Sequence, residues 1–193
     1  MSNFDTLLTD IKGCTLCRAH LPEGPQPVFQ AHPAARILIA GQAPGIAAHR
    51  SGIPFNDPSG DRLRAWLGID RATFYDASMC ALVPMGFCYP GRGKGGDLPP
   101  RKECAPKWRT TLLGQLNRVE LIVCVGRYAI DWHLTPQRTD SLSDIVANWR
   151  TYWPDQLPLP HPSPRNTRWL NQRPWVEAEI IPLLQARVHA LLA

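Results

Sequence analysis

The sequence predicts a three-layer α/β/α fold with a central, mainly parallel four-stranded sheet. Two observations support this prediction: strand-like and helix-like segments alternate along the chain, and the strands are short apolar runs of the kind that both faces of a parallel sheet bury. The strands are expected at 36–41, 74–83, 120–126 and 157–161. In such sheets ligands bind beyond the carboxyl ends of the strands, so a site is expected in the loops that follow them.

Helices are predicted where apolar residues recur every three or four positions. The first covers 3–12 and is ended by Gly13, and another follows Ser59, which we expect to be its N-cap. The inward face of this second helix is expected to carry Leu63, Trp66 and Leu67.

The second half of the chain contains one irregular segment and three further helical patterns. Residues 88–104 combine glycines, prolines and basic side chains, which predicts a long basic loop. Helices are expected after Pro106, over 141–149, and over 174–192 with a kink at Pro182. The apolar stripe of the last helix consists of Val176, Ile180, Leu183, Leu184, Val188 and Leu191.

Composition limits the classes of protein that this chain can represent. With 193 residues, 44% of them hydrophobic, it can bury one domain's core without disulfides. The formal net charge of +5 permits a polyanionic partner. No apolar run reaches the roughly 18 residues that a membrane span needs, and the first residues lack a basic region followed by an apolar core. We therefore expect a cytoplasmic protein of a bacterial-type cytosol without membrane contact.

Six cysteines in a reducing cytosol are better explained as metal ligands or redox thiols than as disulfides. Cys80 and Cys124 lie inside predicted strands, where cysteine is usually a small buried apolar residue. The remaining four comprise a C-x2-C pair and two residues that flank the basic loop: Cys14, Cys17, Cys88 and Cys104. Chemistry alone leaves both zinc and an iron–sulfur cluster open for this set.

Two motifs follow predicted strands. The first is GQAPG at 41–45, followed by GIPF at 52–55, and its glycines and proline force a tight turn that exposes backbone N–H groups. The second is HPSPRN at 161–166, after the last strand.

Together with the cysteines, these motifs resemble those of the iron–sulfur uracil-DNA glycosylases, families 4 and 5. Family 4 carries a first motif much like GEAPG-x6-GxPF and four cysteines in the same order, and 161–166 resembles the HPS motif of the same superfamily. The resemblance spans 14–166. It implies one glycosylase-like domain over 1–193, a monomer that acts on uracil-containing or otherwise deaminated DNA in base excision repair. It also implies a 4Fe-4S cluster on the four cysteines, which would attach the 88–104 loop and the first helix to the core.

The resemblance also implies roles for individual residues. Phe55 is expected to stack on the base flipped out of the duplex, and His161 to hydrogen-bond the pyrimidine O2 as negative charge builds on the departing base. Breaking an N-glycosidic bond passes through an oxocarbenium-like state, so both the base anion and the sugar cation need stabilisation. Further residues expected to bind substrate are Gly41, Ala43, Pro44, Gly45, Ser163 and Asn166.

The usual carboxylate of family 4 is absent, because Gln42 stands at the position of its first-motif acid. We place Gln42 in the catalytic set with His161 and Asp57. Family 5 uses an aspartate slightly downstream, which favours Asp57 as the group that positions water, with Asp61 second. The alternative is that Asp57 only caps the following helix.

Two further positions depart from the family. The strand that carries a uracil-reading asparagine in family 4 has none here, and Ser78 or Pro84 takes its place according to the alignment. Arg165 replaces a leucine that family members insert into the duplex; it is expected either to fill the hole and bind phosphate or to remain in solvent.

The 88–104 loop contains GRGKGG, which lacks the spacing of a nucleotide-binding P-loop. We expect it to hold DNA phosphates, the alternative being a plain surface loop. The side chains concerned are Arg92, Lys94, Arg101 and Lys102.

The leading function is therefore monofunctional removal of uracil or a related deaminated base from DNA. A non-catalytic nucleic-acid-binding relative that keeps the cluster is the second hypothesis, and an enzyme acting on free nucleosides is the third. The sequence does not rank uracil against hypoxanthine or xanthine.

Overall fold

A computed structural model describes residues 3–136 and 139–193. Four strands form a parallel sheet in the order β2-β1-β5-β6, and two short strands form a separate antiparallel hairpin. The strands are β1 (Ile37–Ala40), β2 (Cys80–Leu82), β3 (Arg92–Gly93), β4 (Gly96–Asp97), β5 (Leu121–Val125) and β6 (Gln156–Leu159). The predicted three-layer fold with a parallel four-stranded sheet is confirmed.

Helices surround this sheet. They are α1 (Asn3–Lys12), α2 (Ile46–Ser51), α3 (Pro58–Leu67), α4 (Arg71–Tyr75), α5 (Cys104–Leu113), α6 (Arg127–His133), α7 (Leu142–Ala147), α8 (Thr167–Asn171) and α9 (Ile181–Leu192). None of the helices in the described ranges is both long and apolar enough to cross a membrane.

Strand β1 shows why the strand sequences are continuously apolar. Ile37 and Ile39 belong to a core cluster shared with α3 and α9, whereas Leu38 packs with α1 and α5 on the opposite face. Ala40 packs with residues of α6. All four β1 residues are buried because helices cover both faces of the sheet.

The predicted strand over 74–83 is shorter in the structure, where only Cys80–Leu82 are extended. The carboxylate of Asp70 accepts a hydrogen bond from the Thr73 backbone N–H at 2.8 Å and begins α4, which ends at Tyr75. Local helix capping therefore overrides the β propensity of the aromatic pair at 74–75.

The N-cap of α3 is Asp57 and not Ser59, which lies buried in the first turn. The inward orientation of Leu63, Trp66 and Leu67 is confirmed.

The last helical segment is also modified. Residues Val176–Ile180 form a wider π-helical turn just before α9, which accommodates Pro182 because proline supplies no N–H to the preceding turn. Leu183, expected on the apolar stripe, is instead 44% exposed. The 88–104 loop contains the β3–β4 hairpin, which was not predicted.

Both edges of the parallel sheet are covered or interrupted. Beside β2, the N–H and C=O groups of Gln30 pair with those of Leu82 at 3.0 and 2.8 Å, and the Gln30 side chain donates to the Cys80 carbonyl at 2.7 Å. At the other edge, β6 contains Pro158, which has no N–H to offer.

Candidate active site

A pocket of about 240 Å³ lies at the carboxyl edge of the parallel sheet. Residues 41–45 after β1, Pro84 after β2 and His161 after β6 contribute to its lining, together with residues from the start of α3 and from the β3–β4 hairpin. The chain leaves β1 toward β2 on one side and later returns to β5 on the other, so the pocket forms where the strand order reverses.

Phe55 lies in the pocket wall with a strained backbone, since its φ angle is +54°. Three contacts hold this conformation. The Tyr75 hydroxyl lies 3.2 Å from the Phe55 carbonyl oxygen, Gly60 packs against the same carbonyl, and Gly41 leaves room for the Phe55 ring. The edge of the ring also faces the buried Phe74 at a centroid distance of 6.2 Å. The aromatic surface is therefore fixed before any ligand arrives.

The protonation state of His161 follows from its contacts. The Ser163 backbone N–H donates to His161 Nδ1 at 3.2 Å, so in the neutral ring the proton sits on Nε2. Burial lowers the pKa of His161, while the negative charges of Asp57 and Asp97 act in the opposite direction. The pocket thus presents a neutral imidazole with an N–H donor.

The loop that carries His161 is held from two sides. The Asn166 side chain donates to the His161 carbonyl at 2.8 Å, and Arg62 of α3 donates to the Ser163 carbonyl at 3.3 Å. Ser163 lines the pocket, whereas Asn166 supports the loop and is absent from the lining. Arg165 also lines the pocket, but its Nη1 donates to the Gly95 carbonyl at 3.2 Å, so its guanidinium is attached to the hairpin.

Asp57 both caps α3 and lines the pocket. Its Oδ1 accepts a hydrogen bond from the Gly60 N–H at 2.9 Å and so caps α3. Its Oδ2 lies in the pocket, 3.7 Å from the point where a Cβ on Gly45 would be. Asp61 instead pairs with Arg64, its side chain is 73% exposed, and it does not line the pocket.

The first motif lies where it was expected, since Gly41, Gln42, Ala43, Pro44 and Gly45 all line the pocket. The turn is held by backbone bonds from residues 85 and 86 to the carbonyls of residues 41 and 42, both at 2.9 Å. The Gln42 amide lies 3.4 Å from the Leu98 carbonyl in the hairpin.

Ser78 does not lie in the pocket. It precedes β2 and therefore sits at the opposite end of the sheet, where its hydroxyl donates to the Asp76 carboxylate at 2.6 Å. Pro84, which follows β2, occupies the lining position instead. The alignment that favoured Ser78 thus fails because a polar residue before a strand cannot reach its carboxyl end.

Sequence reasoning missed Asp97, which lines the pocket from β4. The available signal was an acidic residue in the middle of an otherwise basic, glycine-rich segment. Its distance from both motifs along the chain concealed its position.

A second, smaller pocket is lined by all four predicted ligand cysteines: Cys14, Cys17, Cys88 and Cys104. Burial, with a smaller contribution from neighbouring thiols of the set, raises the pKa of Cys88 to about 11 and that of Cys104 to about 12. Two N–H groups point at these sulfurs: Trp108 Nε1 lies 3.3 Å from Cys14 Sγ, and the Phe87 backbone N lies 3.3 Å from Cys104 Sγ. Within 3–136 and 139–193, no three or more His, Cys, Asp or Glu side chains form a group that could hold a metal ion.

The other two cysteines behave as predicted from their strand positions. Cys80 and Cys124 are fully buried in the sheet, and burial raises the pKa of each to about 12.

The basic loop separates into two kinds of cation. Arg101 is half-buried and donates to Glu103 at 2.8 Å beside Cys17, so part of its guanidinium is already bonded within the protein. Arg92, Lys94 and Lys102 are exposed.

A family model for the uracil DNA glycosylase superfamily matches residues 29–185 of the 193. The matched range contains both pocket motifs, Cys88 and Cys104, and begins after Cys14 and Cys17. Members of this superfamily are generally DNA glycosylases, which are hydrolases that act on DNA. Since the match covers far more than half of the chain, the protein belongs to the uracil-DNA glycosylase superfamily.

Proposed function

We propose that the protein hydrolyses the N-glycosidic bond of uracil or a related deaminated base in DNA and leaves an abasic site. The observation that carries this proposal is the pairing, in one pocket, of a neutral histidine N–H donor with the pocket-facing oxygen of Asp57. The reaction develops negative charge on the base and positive charge on the sugar, and these two groups match those two charges.

The neutral state of His161 suits the departing base. A neutral Nε2–H donates a hydrogen bond to the base oxygen that becomes an anion, and burial keeps the ring unprotonated at neutral pH. Because the Ser163 N–H fixes the tautomer, no reorganisation is needed during the reaction.

The carboxylate of Asp57 suits the opposite charge. Its Oδ1 is fixed by the cap hydrogen bond, which leaves Oδ2 to orient water and to stabilise the sugar cation. Phe55 supplies the aromatic face on which a flipped base stacks.

Hydrolysis without strand cleavage is the expected outcome. Cleavage through a covalent sugar intermediate needs an amine nucleophile, and no lysine occurs in the described lining of the pocket. We therefore propose a monofunctional glycosylase.

We also propose that Cys14, Cys17, Cys88 and Cys104 hold a 4Fe-4S cluster. One tetrahedral zinc needs four sulfurs that converge within about 2.3 Å of a single point. A four-iron cluster gives each thiolate its own iron atom, so its ligands surround a larger space. Four cysteines that line one pocket match the number of thiolates that such a cluster takes. When bound, the cluster supplies cross-linking of α1, α5 and the 88–104 loop.

The direct test is base release under single-turnover conditions. Anaerobically purified protein is incubated with labelled single strands and duplexes that contain uracil, hypoxanthine or xanthine, and abasic sites are revealed by hot alkali. Release from at least one substrate is expected, with none from undamaged DNA or free nucleosides. Tight DNA binding without release from any substrate would favour the non-catalytic alternative, which the glutamine at position 42 motivates.

A further inference from the structure

We propose that Asp97 is a second catalytic carboxylate, placed in the pocket by the β3–β4 hairpin, that shares with Asp57 the orientation of water and the stabilisation of the sugar cation. This inference rests on the proposed glycosylase function and names a residue that the family motifs do not contain.

Both carboxylates line the pocket, and both lie near Gly45. The Oδ2 atom of Asp97 lies 3.5 Å, and that of Asp57 3.7 Å, from the point that a Cβ on Gly45 would occupy. The two oxygens are therefore at most about 7 Å apart, a separation at which two carboxylates can address one water and one sugar. Both aspartates also raise the pKa of His161 against the effect of burial, so both are electrostatically close to the group that serves the base.

The hydrogen bonds of the two residues differ. Asp57 commits one oxygen to the Gly60 N–H. The Asp97 carboxylate accepts no hydrogen bond from a donor in the described part of the chain that would commit either oxygen, and it is exposed at the pocket opening. Asp97 is therefore the carboxylate better able to accept a proton from an attacking water.

The hairpin that carries Asp97 is fixed to the rest of the site. Arg165 donates to the Gly95 carbonyl at 3.2 Å, and the Gln42 amide lies 3.4 Å from the Leu98 carbonyl. Gly96 has a φ of +141°, a conformation that L side chains rarely adopt, and it lies against the Arg165 guanidinium. These contacts hold the residues on both sides of Asp97, as expected for a positioned catalytic group.

The hairpin also connects the two proposed centres. It lies between Cys88 and Cys104, two of the four cysteines around the second pocket. Anchoring both ends of this segment at the cluster would limit the positions that Asp97 can occupy. This explains why a structural cluster would matter to a reaction that involves no electron transfer.

The proposed step is balanced as a hydrolysis. The N-glycosidic bond breaks with its electron pair going to the base, whose charge the Nε2–H of His161 stabilises. The water oxygen forms the new bond to the sugar carbon, and one water proton passes to a carboxylate and then to solvent. The base is finally protonated by solvent, so the products are the free base and the abasic sugar.

The test compares Asp97→Asn, Asp97→Ala and Asp57→Asn with the wild type in single-turnover base release. The exposed Asp10→Asn is the matched control, since it removes one carboxylate from α1. We expect Asp97→Asn to be slowed by about 100-fold, the usual contribution of a positioned acid or base, and Asp10→Asn to be unchanged. Visible absorption and iron content should be equal in all variants.

Chemical rescue separates a lost carboxylate from a disturbed hairpin. Because Asp97 is exposed at the pocket opening, added formate should restore several-fold of the rate of Asp97→Ala and leave that of Asp97→Asn unaltered. If the wild type is active and the rate of Asp97→Asn lies within about threefold of the wild-type rate, this inference is overturned while the proposed function stands. The same holds if Asp97→Ala is slow and formate fails to restore its rate. A wild type that releases no base from any substrate overturns the proposed function and this inference together.

Discussion

Replacing Gly60 by alanine is the sharpest available perturbation of the pocket. A Cβ at this position would lie 2.7 Å from the carbonyl carbon of Phe55 and 2.9 Å from its Cβ, and closer still to its carbonyl oxygen. Real Cβ atoms keep at least 3.0 Å from such neighbours. The backbone at Gly60 and the backbone at Phe55 must therefore move apart, by about 1 Å at the Phe55 carbonyl.

This displacement acts on two functional groups at once. Phe55 is the residue with the strained backbone, and the Gly60 N–H is the donor that fixes Asp57. A misplacement of about 1 Å typically lowers the rate by about 100-fold, and overpacking of this kind lowers the free energy of unfolding by about 1–3 kcal/mol. We expect Gly60→Ala to show both effects and to keep the metal content of the wild type, because none of the four proposed ligand cysteines lies in α3.

Gly114→Ala is the matched control. Gly114 follows α5 with helical angles, and a Cβ there would meet only helix carbonyls at 3.4 and 3.5 Å. The change should leave base release unaltered and raise stability by about 0.4–1 kcal/mol. Single-turnover base release and thermal unfolding, measured for both variants, test these expected changes in rate and stability. A Gly60→Ala protein with the wild-type rate would refute the idea that the geometry of Phe55 and Asp57 limits catalysis.

Three other expectations follow from the structure. His161→Ala should lower the rate of single-turnover base release by about 100-fold or more while DNA binding survives. In the wild type this rate should persist at pH 6.5 and fall only at lower pH, because burial lowers the pKa of the His161 ring and its neutral form is the active one. Burial, with Arg109 nearby, lowers the pKa of His133 to about 4 from the ordinary 6.5. Between these two pH values the unfolded chain binds one more proton than the folded protein, so the free energy of unfolding should fall as pH drops from 6.5 to 4. A His133→Asn variant whose free energy of unfolding keeps the full pH dependence would contradict this assignment. Cys88→Ser should lose the brown colour and the iron of the purified protein whereas Cys124→Ala keeps both, and equal iron in the two would remove Cys88 from the ligand set.

The sequence predicted the layers of the fold well because the apolar periodicity of long segments reports burial directly. It failed where a local hydrogen bond competes with that pattern. Residues 74–75 carry strand-forming aromatics, yet the Asp70 cap draws them into a short helix. The cap of α3 moved from Ser59 to Asp57 for the same reason, since either residue type can serve and only the geometry decides.

The candidate site was predictable where a motif is contiguous in the chain. Gly41 to Gly45, Phe55 and His161 all follow strands or turns within the two motifs, and they line the same pocket. Asp97 could not be placed in this way, because its position depends on a hairpin of two-residue strands that has no periodicity to detect. Ser78 failed because the strand was predicted to begin at 74, whereas β2 begins at Cys80 and leaves Ser78 before it.

The two edges of the parallel sheet have a consequence for how the chain behaves among other proteins. An uncovered edge strand is a template on which a foreign strand can add, and short parallel sheets form slowly enough for such encounters to occur. Here Gln30 already occupies the hydrogen-bonding partners of Leu82, and Pro158 interrupts the row of donors at the opposite edge. The fold is thereby protected against edge-to-edge aggregation by one glutamine and one proline, neither of which contributes to the pocket.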